Sequence, residues 1–478
     1  MNGKILSLFF FTWLIGSCSD TASQTWGDPI EWPTVTPSGI APAEIVMGNR
    51  FYVDPENGDD NGDGSMEHPW QNLQFVIDNY VSTYEPAQFP ADDNTPLVEK
   101  NADAPVKAYD AIMLRAGFHG PLTLERARNE GFITISAVEG EEAVVSRIHI
   151  IGSSYWNISN ITVSREYTSD FEGNDLVDIT SHNWSGPTSY INLQNTLIQT
   201  AADSSGWTLT DWNELPANGI AISGHHNRME GCHLKNINFG ISVTGNFNDI
   251  IGNTVENFAG DGLRGLGSDL LFQGNVVKNC YDVNENHDDG FQSWAVDGVP
   301  PRRVILRGNV FINYESPDQP FLGNLQGIGC FDGFYEDWLV ENNLVIVDHW
   351  HGITFLGGRN VQIINNTVVN RDARSELTPW IRIGPHKDGR SSQDCVIRNN
   401  IAVNSFIADN DTISEGNLLV GDDDLPLWFV DFENLDYHLV ASPPVDAGIS
   451  TDAPAQDLDG NPRPAGQAVD VGCYEYTP

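Results

Sequence analysis

Carboxylate, imidazole and guanidinium side chains concentrate in one stretch of this 478-residue chain, between residues 261 and 387. The densest part is the segment 286–292, which contains two adjacent aspartates, Asp288 and Asp289. Paired carboxylates can act as general acid and base on a glycosidic bond, because like charges at close range raise one pKa. Alternatively, carboxylates hold Ca²⁺ or a sugar while His, Arg or Lys removes a proton beside a uronate carboxylate. The third alternative is structural, since Asp-Gly and His-Gly pairs also make solvated turns.

A repeated local pattern places these residues in register. The pattern is one variable residue, Gly, an apolar residue, a second variable residue and a further apolar residue, as in Asp289-Gly290-Phe291-Gln292 and His351-Gly352-Ile353-Thr354. In a strand with its apolar residues turned inward, the second variable residue must face outward. One outer face should therefore present, in successive strands, Ala221, Ser242, Arg264, Gln292, Gly329, Thr354 and Arg382.

Asparagine recurs in a second register that predicts the architecture. Asn253 and Asn275 are 22 residues apart, and Asn275, Asn309 and Asn343 follow at intervals of 34. Asn366 and Asn400 continue the series, with weaker copies at Asn160, Asn195 and Asn417 and with Gly231-Cys232 in one position. Short β-branched segments precede each copy, which favours strands over the Leu-rich frame of a horseshoe. Asn tolerates left-handed backbone angles and can hydrogen-bond along a stack of identical amides.

These strand and Asn patterns resemble those of the right-handed parallel β-helix, an all-β solenoid used by many polysaccharide lyases, pectin-type hydrolases, epimerases and phage tailspikes. The resemblance covers roughly Arg50 to the carboxy terminus, and we expect residues 49–440 to form one catalytic solenoid domain. The segment 51–74 resembles the entry cap of secreted β-helices, with an amphipathic helix over Leu73–Tyr80 closing the core. Residues 441–478 resemble a carboxy-terminal module of such proteins and should form a closing cap.

The amino terminus predicts export. Residues 1–18 contain Lys4, an apolar run and Ile15-Gly16-Ser17-Cys18, which reads as a secretory signal and resembles a bacterial lipobox. Cys18 would then be the lipidated first residue of the mature protein, and residues 19–48 would serve as a tether. We expect a secreted lipoprotein at the cell surface or in the periplasm, anchored through Cys18, with the outer membrane as its location.

Charge and cysteine content limit the partners. The formal net charge of −42 argues against nucleic acid and against anionic membrane surfaces. The five cysteines after Cys18 are odd in number and widely spaced, which fits neither a disulfide framework nor a zinc site. We expect a monomer whose partner is a polysaccharide.

The sequence thus favours a carbohydrate-active enzyme, most of all a lyase that cleaves a uronate polymer such as alginate or pectin by β-elimination. An inverting hydrolase similar to polygalacturonases and a non-catalytic carbohydrate-binding surface protein are the alternatives. Ca²⁺ is the candidate cofactor, with Asp261 and Asp289 as its ligands. The candidate catalytic residues are His351, as base, with Asp288, Asp289 and Arg264. The candidate substrate-binding residues are Asp261, Gln292, Trp294, His349, Trp350, Arg382 and Lys387.

Overall fold

The computed structural model describes residues 48–168, 173–372 and 375–477. In these ranges the chain winds repeatedly through three parallel sheets, and each turn adds one strand to every sheet. The right-handed parallel β-helix predicted from the Asn spacing is confirmed. The segment 1–47, which includes Cys18 and most of the predicted tether, lies outside the described residues. In the part of the chain that the structure describes, no helix has the length and apolar character needed to span a membrane.

Sheet 1 receives the chain first in each turn. Its parallel strands are Arg50–Val53, Ala111–Leu114, Arg128–Ala137, Ser154–Ser159, Ser189–Gln194, Arg228–Glu230, Asp249–Ile251, Leu271–Gln273, Ile305–Arg307, Leu339–Glu341, Gln362–Ile364, Cys395–Arg398 and Thr412–Glu415. An antiparallel hairpin, Thr83–Pro86 with Leu97–Lys100, joins its amino-terminal part.

Sheet 2 follows after a short corner. Its strands are Gly117–Phe118, Ala143–Val145, Thr162–Ser164, Leu197–Gln199, His233–Ile237, Thr254–Phe258, Val276–Cys280, Val310–Ile312, Leu344–Ile346, Thr367–Val369, Ile401–Ala402 and Leu418–Leu419.

Sheet 3 completes each turn and carries the residues of chemical interest. Its strands are Leu122–Glu125, Ile148–Ile151, Asp175–Thr180, Asn218–Ile222, Ile241–Val243, Leu263–Gly265, Asp289–Trp294, Gln326–Asp332, His351–Leu356, Trp380–Gly384 and Phe406–Ala408. Two small pairs lie outside the three sheets, Tyr335–Glu336 with Gly358–Arg359 and Phe429–Asp431 with Asp436–Leu439. The helices are Leu73–Tyr80, Leu209–Glu214 and Leu425–Trp428, and short 3-10 turns span Arg165–Tyr167, Val296–Gly298 and Phe432–Asn434.

The corner between sheets 1 and 2 contains a continuous row of amides, buried except at the last member, which we call the Asn ladder: Asn253, Asn275, Asn309, Asn343, Asn366, Asn400 and Asn417. From Asn275 onward, each ladder Oδ1 accepts from the backbone N–H and the Nδ2 of the preceding member, as Asn309 accepts from Asn275 at 3.0 and 2.9 Å. Each Nδ2 also donates to a backbone carbonyl, as Asn309 does to Phe272 at 3.0 Å. The hydrogen-bonding groups of these side chains are thus satisfied inside the fold.

The backbone at this corner corrects one sequence expectation. The left-handed residue is not the ladder Asn but the residue before it, for example Gly308 with φ 60° and Asn342 with φ 54°. Asn160 and Asn195 have positive φ themselves, so they occupy this preceding position and not the ladder. Cys232 does occupy the ladder position, where its backbone N–H donates to Asn253 Oδ1 at 2.9 Å.

The predicted amino-terminal cap helix is present. The helix Leu73–Tyr80 begins after Asn72, whose side chain accepts from the Phe75 N–H, and it buries Leu73, Val76 and Ile77 against the core. The carboxy-terminal segment packs along the corner of sheets 1 and 2. Side-chain amides next to the ladder hold it there. For example, Asn365 Nδ2, one residue before the ladder member Asn366, donates to the Asp470 carbonyl at 2.9 Å.

Candidate functional site

The outer face of sheet 3 has the strand register that the sequence pattern predicted. Ala221 is paired with Ser242, Ser242 with Arg264, and Arg264 with Gln292 in adjacent parallel strands. Gln292 then pairs with Gly329, Gly329 with Thr354, and Thr354 with Arg382. With strands about 4.8 Å apart, the face from Arg264 to Arg382 is roughly 19 Å long.

One end of this face carries Asp261, Asp288 and Asp289, and we call it the acidic end. Asp261 and Asp289 are its buried members. Asp261 is 2% exposed, its Oδ1 accepts from the Asp289 backbone N–H at 3.1 Å, and its Oδ2 pairs with the Arg264 guanidinium. The Arg264 guanidinium also lies 3.8 Å from the centre of the Phe239 ring. Burial raises the pKa of Asp261, and the attraction of Arg264 opposes that rise. Asp261 and Arg264 therefore hold each other in place.

Asp289 is fully buried yet incompletely bonded. Its Oδ2 accepts from Gln292 Nε2 at 2.8 Å and lies 3.2 Å from His287 Nδ1. Its Oδ1 has no hydrogen-bond partner among the described residues, and burial raises the pKa of Asp289 to about 7. A side chain at Gly329 would place its Cβ 2.4 Å from that Oδ1, so glycine is required there for the carboxylate to fit.

Asp288 presents a second carboxyl with an altered pKa. Burial, followed by repulsion from Asp282 and Asp261, raises the pKa of Asp288 to about 8, and its Oδ1 has no partner in the described part of the chain. Near neutral pH the raised pKa of Asp288 favours its protonated form, while Asp289 populates both its protonated and its ionised form, which suits groups that exchange protons.

His287 and Gln326 belong to this end, although neither was among the predicted site residues. The His287 side chain is 60% exposed, and its contact with Asp289 is the first cause of its raised pKa. Gln326 pairs with Asp289 across adjacent strands, its amide contacts the His287 ring, and its buried Oε1 lacks a described partner. Gln326 has the same place in the glycine pattern as Asp289, and that signal could have identified it.

The other end of the face carries His349, His351 and Arg382, and we call it the basic end. The Thr354 side chain contacts its neighbours there. Its hydroxyl lies 3.0 Å from His351 Nδ1 and accepts from Trp380 Nε1 at 3.0 Å. Arg382 is paired with Thr354 in the next strand, and its guanidinium carbon lies 5.8 Å from the centre of the Trp380 ring. Arg382 forms no ion pair with any described residue, and its buried Nε has no hydrogen-bond partner there. Trp380 and Thr354 were not predicted as site residues.

Two histidines at this end are neutral at ordinary pH. Burial is the main cause that lowers the pKa of both His349 and His351 to about 4, and repulsion from nearby cationic groups adds to it. The His351 backbone N–H donates to His349 Nδ1 at 3.1 Å, and this hydrogen bond fixes the His349 ring beside His351. The Phe331 ring joins the two ends of the face, since its centre lies 4.8 Å from that of His351 and 6.0 Å from that of His287.

The remaining predicted residues lie at the edges of this group. Trp350 is 46% exposed and stacks on Trp380, with ring centres 6.3 Å apart and planes at 17°. Trp294 lies 5.7 Å from the Arg264 guanidinium carbon. The Lys387 ammonium group pairs at 2.6 Å with Asp332 in an exposed contact. Lys387 is thus already neutralised, whereas Arg382 is not.

The residues predicted to bind Ca²⁺ do not fit that ion. Both oxygens of Asp261 are engaged, one by Arg264 and one by the Asp289 N–H, and only Asp289 Oδ1 remains open. Calcium takes six to eight oxygen ligands. Within the described ranges, no group of three or more His, Cys, Asp or Glu side chains is arranged to hold a metal.

Comparison with known proteins identifies the fold. No family model and no curated protein sequence matches the chain. A solved structure titled pectate lyase Pel9A is 15% identical, covers 91% of this chain and 98% of its own, and has a TM-score of 0.50. XylC in complex with xylose is 11% identical over 75% of each chain, with a TM-score of 0.44. A mannuronic acid specific polysaccharide family 6 lyase from human gut microbiota is 16% identical over 66% of this chain and 72% of its own, with a TM-score of 0.42. The likeness to Pel9A is a likeness of fold.

Proposed function

We propose that this protein is a carbohydrate-active enzyme that cleaves a uronate-containing polysaccharide by β-elimination on the outer face of sheet 3. The observation that carries the proposal is the unpaired guanidinium of Arg382 beside the neutral imidazole of His351. On a chain with a net charge of −42, a partly buried cation without an acidic partner is a strong sign of an anionic ligand. A uronate carboxylate has the charge and the planar geometry that a guanidinium binds best.

The chemistry of elimination matches both ends of the face. Arg382 neutralises the uronate carboxylate, which makes the proton on the adjacent ring carbon, C5, more acidic. One of two imidazoles, His351 or His287, accepts that proton as the C5–H bond breaks, and both rings pack against Phe331. The C5 electron pair forms the C4–C5 double bond as the C4–O bond breaks.

The acidic end supplies the proton for the leaving group. Asp288 and Asp289 have raised pKa values, so either carboxyl can donate a proton to the departing glycosidic oxygen. That oxygen leaves with the neighbouring sugar, which gains a new reducing end. Asp261 and Arg264 maintain the position of Asp289 from the preceding strand, and Gln292 does so from its own.

Stacking and hydrogen bonding explain the other predicted binding residues. The exposed face of Trp350 suits the apolar face of a sugar ring, and Trp380 fixes its plane. Trp294 offers a similar aromatic surface near Arg264. His349 lies beside His351 and has a ring nitrogen available to a sugar hydroxyl.

A hydrolase is the second candidate, and the adjacent carboxyls favour it. Asp288 and Asp289 could act as acid and base around a glycosidic bond, as an inverting glycoside hydrolase requires. Under that alternative Arg382 would bind a substituent and take no part in proton removal. A non-catalytic carbohydrate-binding surface would use the same aromatic and cationic groups without turnover.

Two assays on one set of polymers distinguish these functions. Alginate, pectin and sulfated marine glycans are incubated with the protein, and ultraviolet absorbance of unsaturated uronate and new reducing ends are both measured. A lyase produces both signals on a uronate polymer. Reducing ends without absorbance would establish hydrolysis, and neither signal, together with retention on an immobilised polymer, would establish a binding protein.

We also propose that the protein is a secreted, monomeric lipoprotein anchored through Cys18 to the outer membrane. The support is the sequence of residues 1–18, in which an apolar run ends at Ile15-Gly16-Ser17-Cys18. Expression in a bacterial host with a labelled fatty acid tests the anchor. The wild-type chain should carry the label in the membrane fraction, and Cys18→Ser should lose it.

A further inference from the structure

The hydrogen bonds of Thr354 determine which nitrogen of His351 carries the proton. An indole N–H can only donate, so the bond at 3.0 Å from Trp380 Nε1 makes the Thr354 oxygen an acceptor. The hydroxyl still has its own hydrogen to place. Thr354 is fully buried, and His351 Nδ1, at 3.0 Å, is the one other hydrogen-bond partner of this hydroxyl among the described residues.

The hydroxyl hydrogen therefore points at His351 Nδ1. The opposite assignment, with Nδ1–H donating to the Thr354 oxygen, would leave a buried hydroxyl hydrogen without an acceptor, which is unfavourable. A neutral imidazole that accepts at Nδ1 carries its hydrogen on Nε2. The lowered pKa of His351, about 4, keeps the ring neutral under ordinary conditions.

His349 has the same protonation pattern for an independent reason. The backbone N–H of His351 can only donate, and it points at His349 Nδ1 from 3.1 Å. The lowered pKa of His349 again indicates a neutral ring, so its hydrogen is also on Nε2. Two neighbouring rings, with centres 5.2 Å apart, thus carry N–H donors beside the unpaired guanidinium of Arg382.

We propose that His351 is a hydrogen-bond donor through Nε2 to the anionic part of the substrate, that Thr354 and Trp380 are positioning residues which enforce this role, and that His351 is not the base. The inference rests on the proposed β-elimination and deepens it. Charge that develops on the uronate carboxylate as C5 loses its proton is met by Arg382 and by the N–H of His351, in a partly dry site where such donors act strongly. Proton removal then falls to His287 at the other side of Phe331, whose Nε2 faces the Gln326 amide nitrogen in the free protein and must exchange that contact for the substrate proton.

Substitution by glutamine separates the two roles of His351. The Gln amide nitrogen can replace a donor at Nε2, but it cannot accept a proton at neutral pH. If His351 is a hydrogen-bond donor, kcat of His351→Gln should stay within about 10-fold of the wild-type value, whereas kcat of His351→Ala should fall about 100-fold or more. For a base, His351→Gln and His351→Ala should be equally inactive, and that result would overturn the assignment.

Nitrogen NMR of the free protein tests the protonation pattern without substrate. With ¹⁵N-histidine labelling, and His351→Gln to identify the signal, His351 should show an unprotonated Nδ1 and a protonated Nε2 at neutral pH. Thr354→Val, which removes the hydroxyl at nearly constant volume, should allow a mixture of tautomers and lower kcat, while the control Thr354→Ser should preserve both readouts. A protonated Nδ1 in the wild type would overturn the inference.

The two proposals fail in different ways. If the protein gives the expected NMR pattern but no unsaturated product on any uronate polymer, the assigned β-elimination is wrong and the donor role falls with it, although the tautomer stands. If unsaturated product forms while the wild-type ring carries its hydrogen on Nδ1, the elimination stands and the donor role is wrong.

Discussion

The Asn ladder and the face of sheet 3 are two rows of polar side chains on the same solenoid, and they differ in how their hydrogen bonds are completed. Ladder members such as Asn309 use their acceptor and donors within the row and its backbone. On sheet 3, Asp288, Asp289, Gln326 and Arg382 retain buried atoms without described partners. Because an unsatisfied buried polar atom lowers stability, a fold retains several together where a ligand completes them. The first row thus stabilises the fold, and we propose that a substrate completes the hydrogen bonds of the second.

The largest effect should come from Asp289→Asn. This change keeps the volume of the side chain but removes the proton-donating carboxyl, so turnover should fall about 100- to 10,000-fold. The unfolding temperature should stay the same or rise, since a carboxylate that is costly to bury is replaced by a neutral amide. Product assays and thermal unfolding measure the two quantities, and full turnover in this variant would exclude the acidic end from the site.

Asn309→Ala should have the opposite pair of effects, with a loss of stability and little direct effect on turnover. It leaves the Asn275 donors and the Phe272 carbonyl without their partner in a buried row, which should lower the free energy of unfolding by about 3 kcal/mol. Denaturant unfolding measures the loss. Asn417→Ala, at the partly exposed end of the ladder, is the matched control and should lose less. Equal losses at both positions would contradict a continuous ladder.

The acidic end should also make stability depend on pH. The folded pKa values of Asp288 and Asp289, about 8 and about 7, are above the unfolded value near 3.8. Their stabilising contribution is therefore complete below about pH 4 and is lost as pH rises through about 7 and 8. Compared with the double variant Asp288→Asn/Asp289→Asn, the wild type should lose a few degrees of Tm between pH 4 and pH 9. A difference that is constant over this range would show that these carboxyls have ordinary pKa values.

A smaller effect is expected for Trp350→Ala. The loss of one exposed stacking face should raise KM by roughly 5-fold, equivalent to about 1 kcal/mol, and should leave kcat nearly unchanged. Trp350→Phe, which retains an aromatic face, should recover most of the binding. A selective loss of kcat would place Trp350 among the reacting groups.

Of these variants, Lys387→Ala should change kcat/KM least. Its ammonium group is already paired with Asp332 in an exposed contact, and such pairs typically contribute about 0.2–1 kcal/mol. Arg382→Ala is the comparison, since it removes an unpaired cation and should reduce kcat/KM strongly. If Lys387→Ala proved as harmful as Arg382→Ala, the distinction between paired and unpaired cations on this face would be lost.

Much of the fold was predictable because one interval in the chain corresponds to one turn of the solenoid. The Asn spacing predicted the parallel strands, and the glycine pattern predicted that Arg264, Gln292 and Arg382 share a face. Hydrogen-bond partners were not predictable, because they depend on local departures from regular pairing. In the pairing of the strand His351–Leu356 with the next strand, the register shifts between His351 and Ile353. Within His351–Leu356, the Thr354 hydroxyl lies 3.0 Å from His351 Nδ1.

The complete burial of Asp289 was also beyond the sequence pattern. It depends on the missing side chain of Gly329 in the next strand and on the hydrogen bond from Gln292 in the same strand. His287 lies outside the repeated glycine pattern and was noticed only as part of a dense segment. Its role emerges from its contact with Asp289, which sequence spacing alone does not specify.

The central claim is that the polar side chains on the outer face of sheet 3 catalyse β-elimination at a uronate linkage. The ultraviolet absorbance of the product tests this claim most directly. Wild-type protein and Arg382→Ala are compared on alginate and pectin, with reducing ends measured in parallel. We expect absorbance to rise with reducing ends for the wild type on at least one polymer, and to fall at least about 100-fold in Arg382→Ala. New reducing ends without absorbance, or equal absorbance from both proteins, would contradict the account.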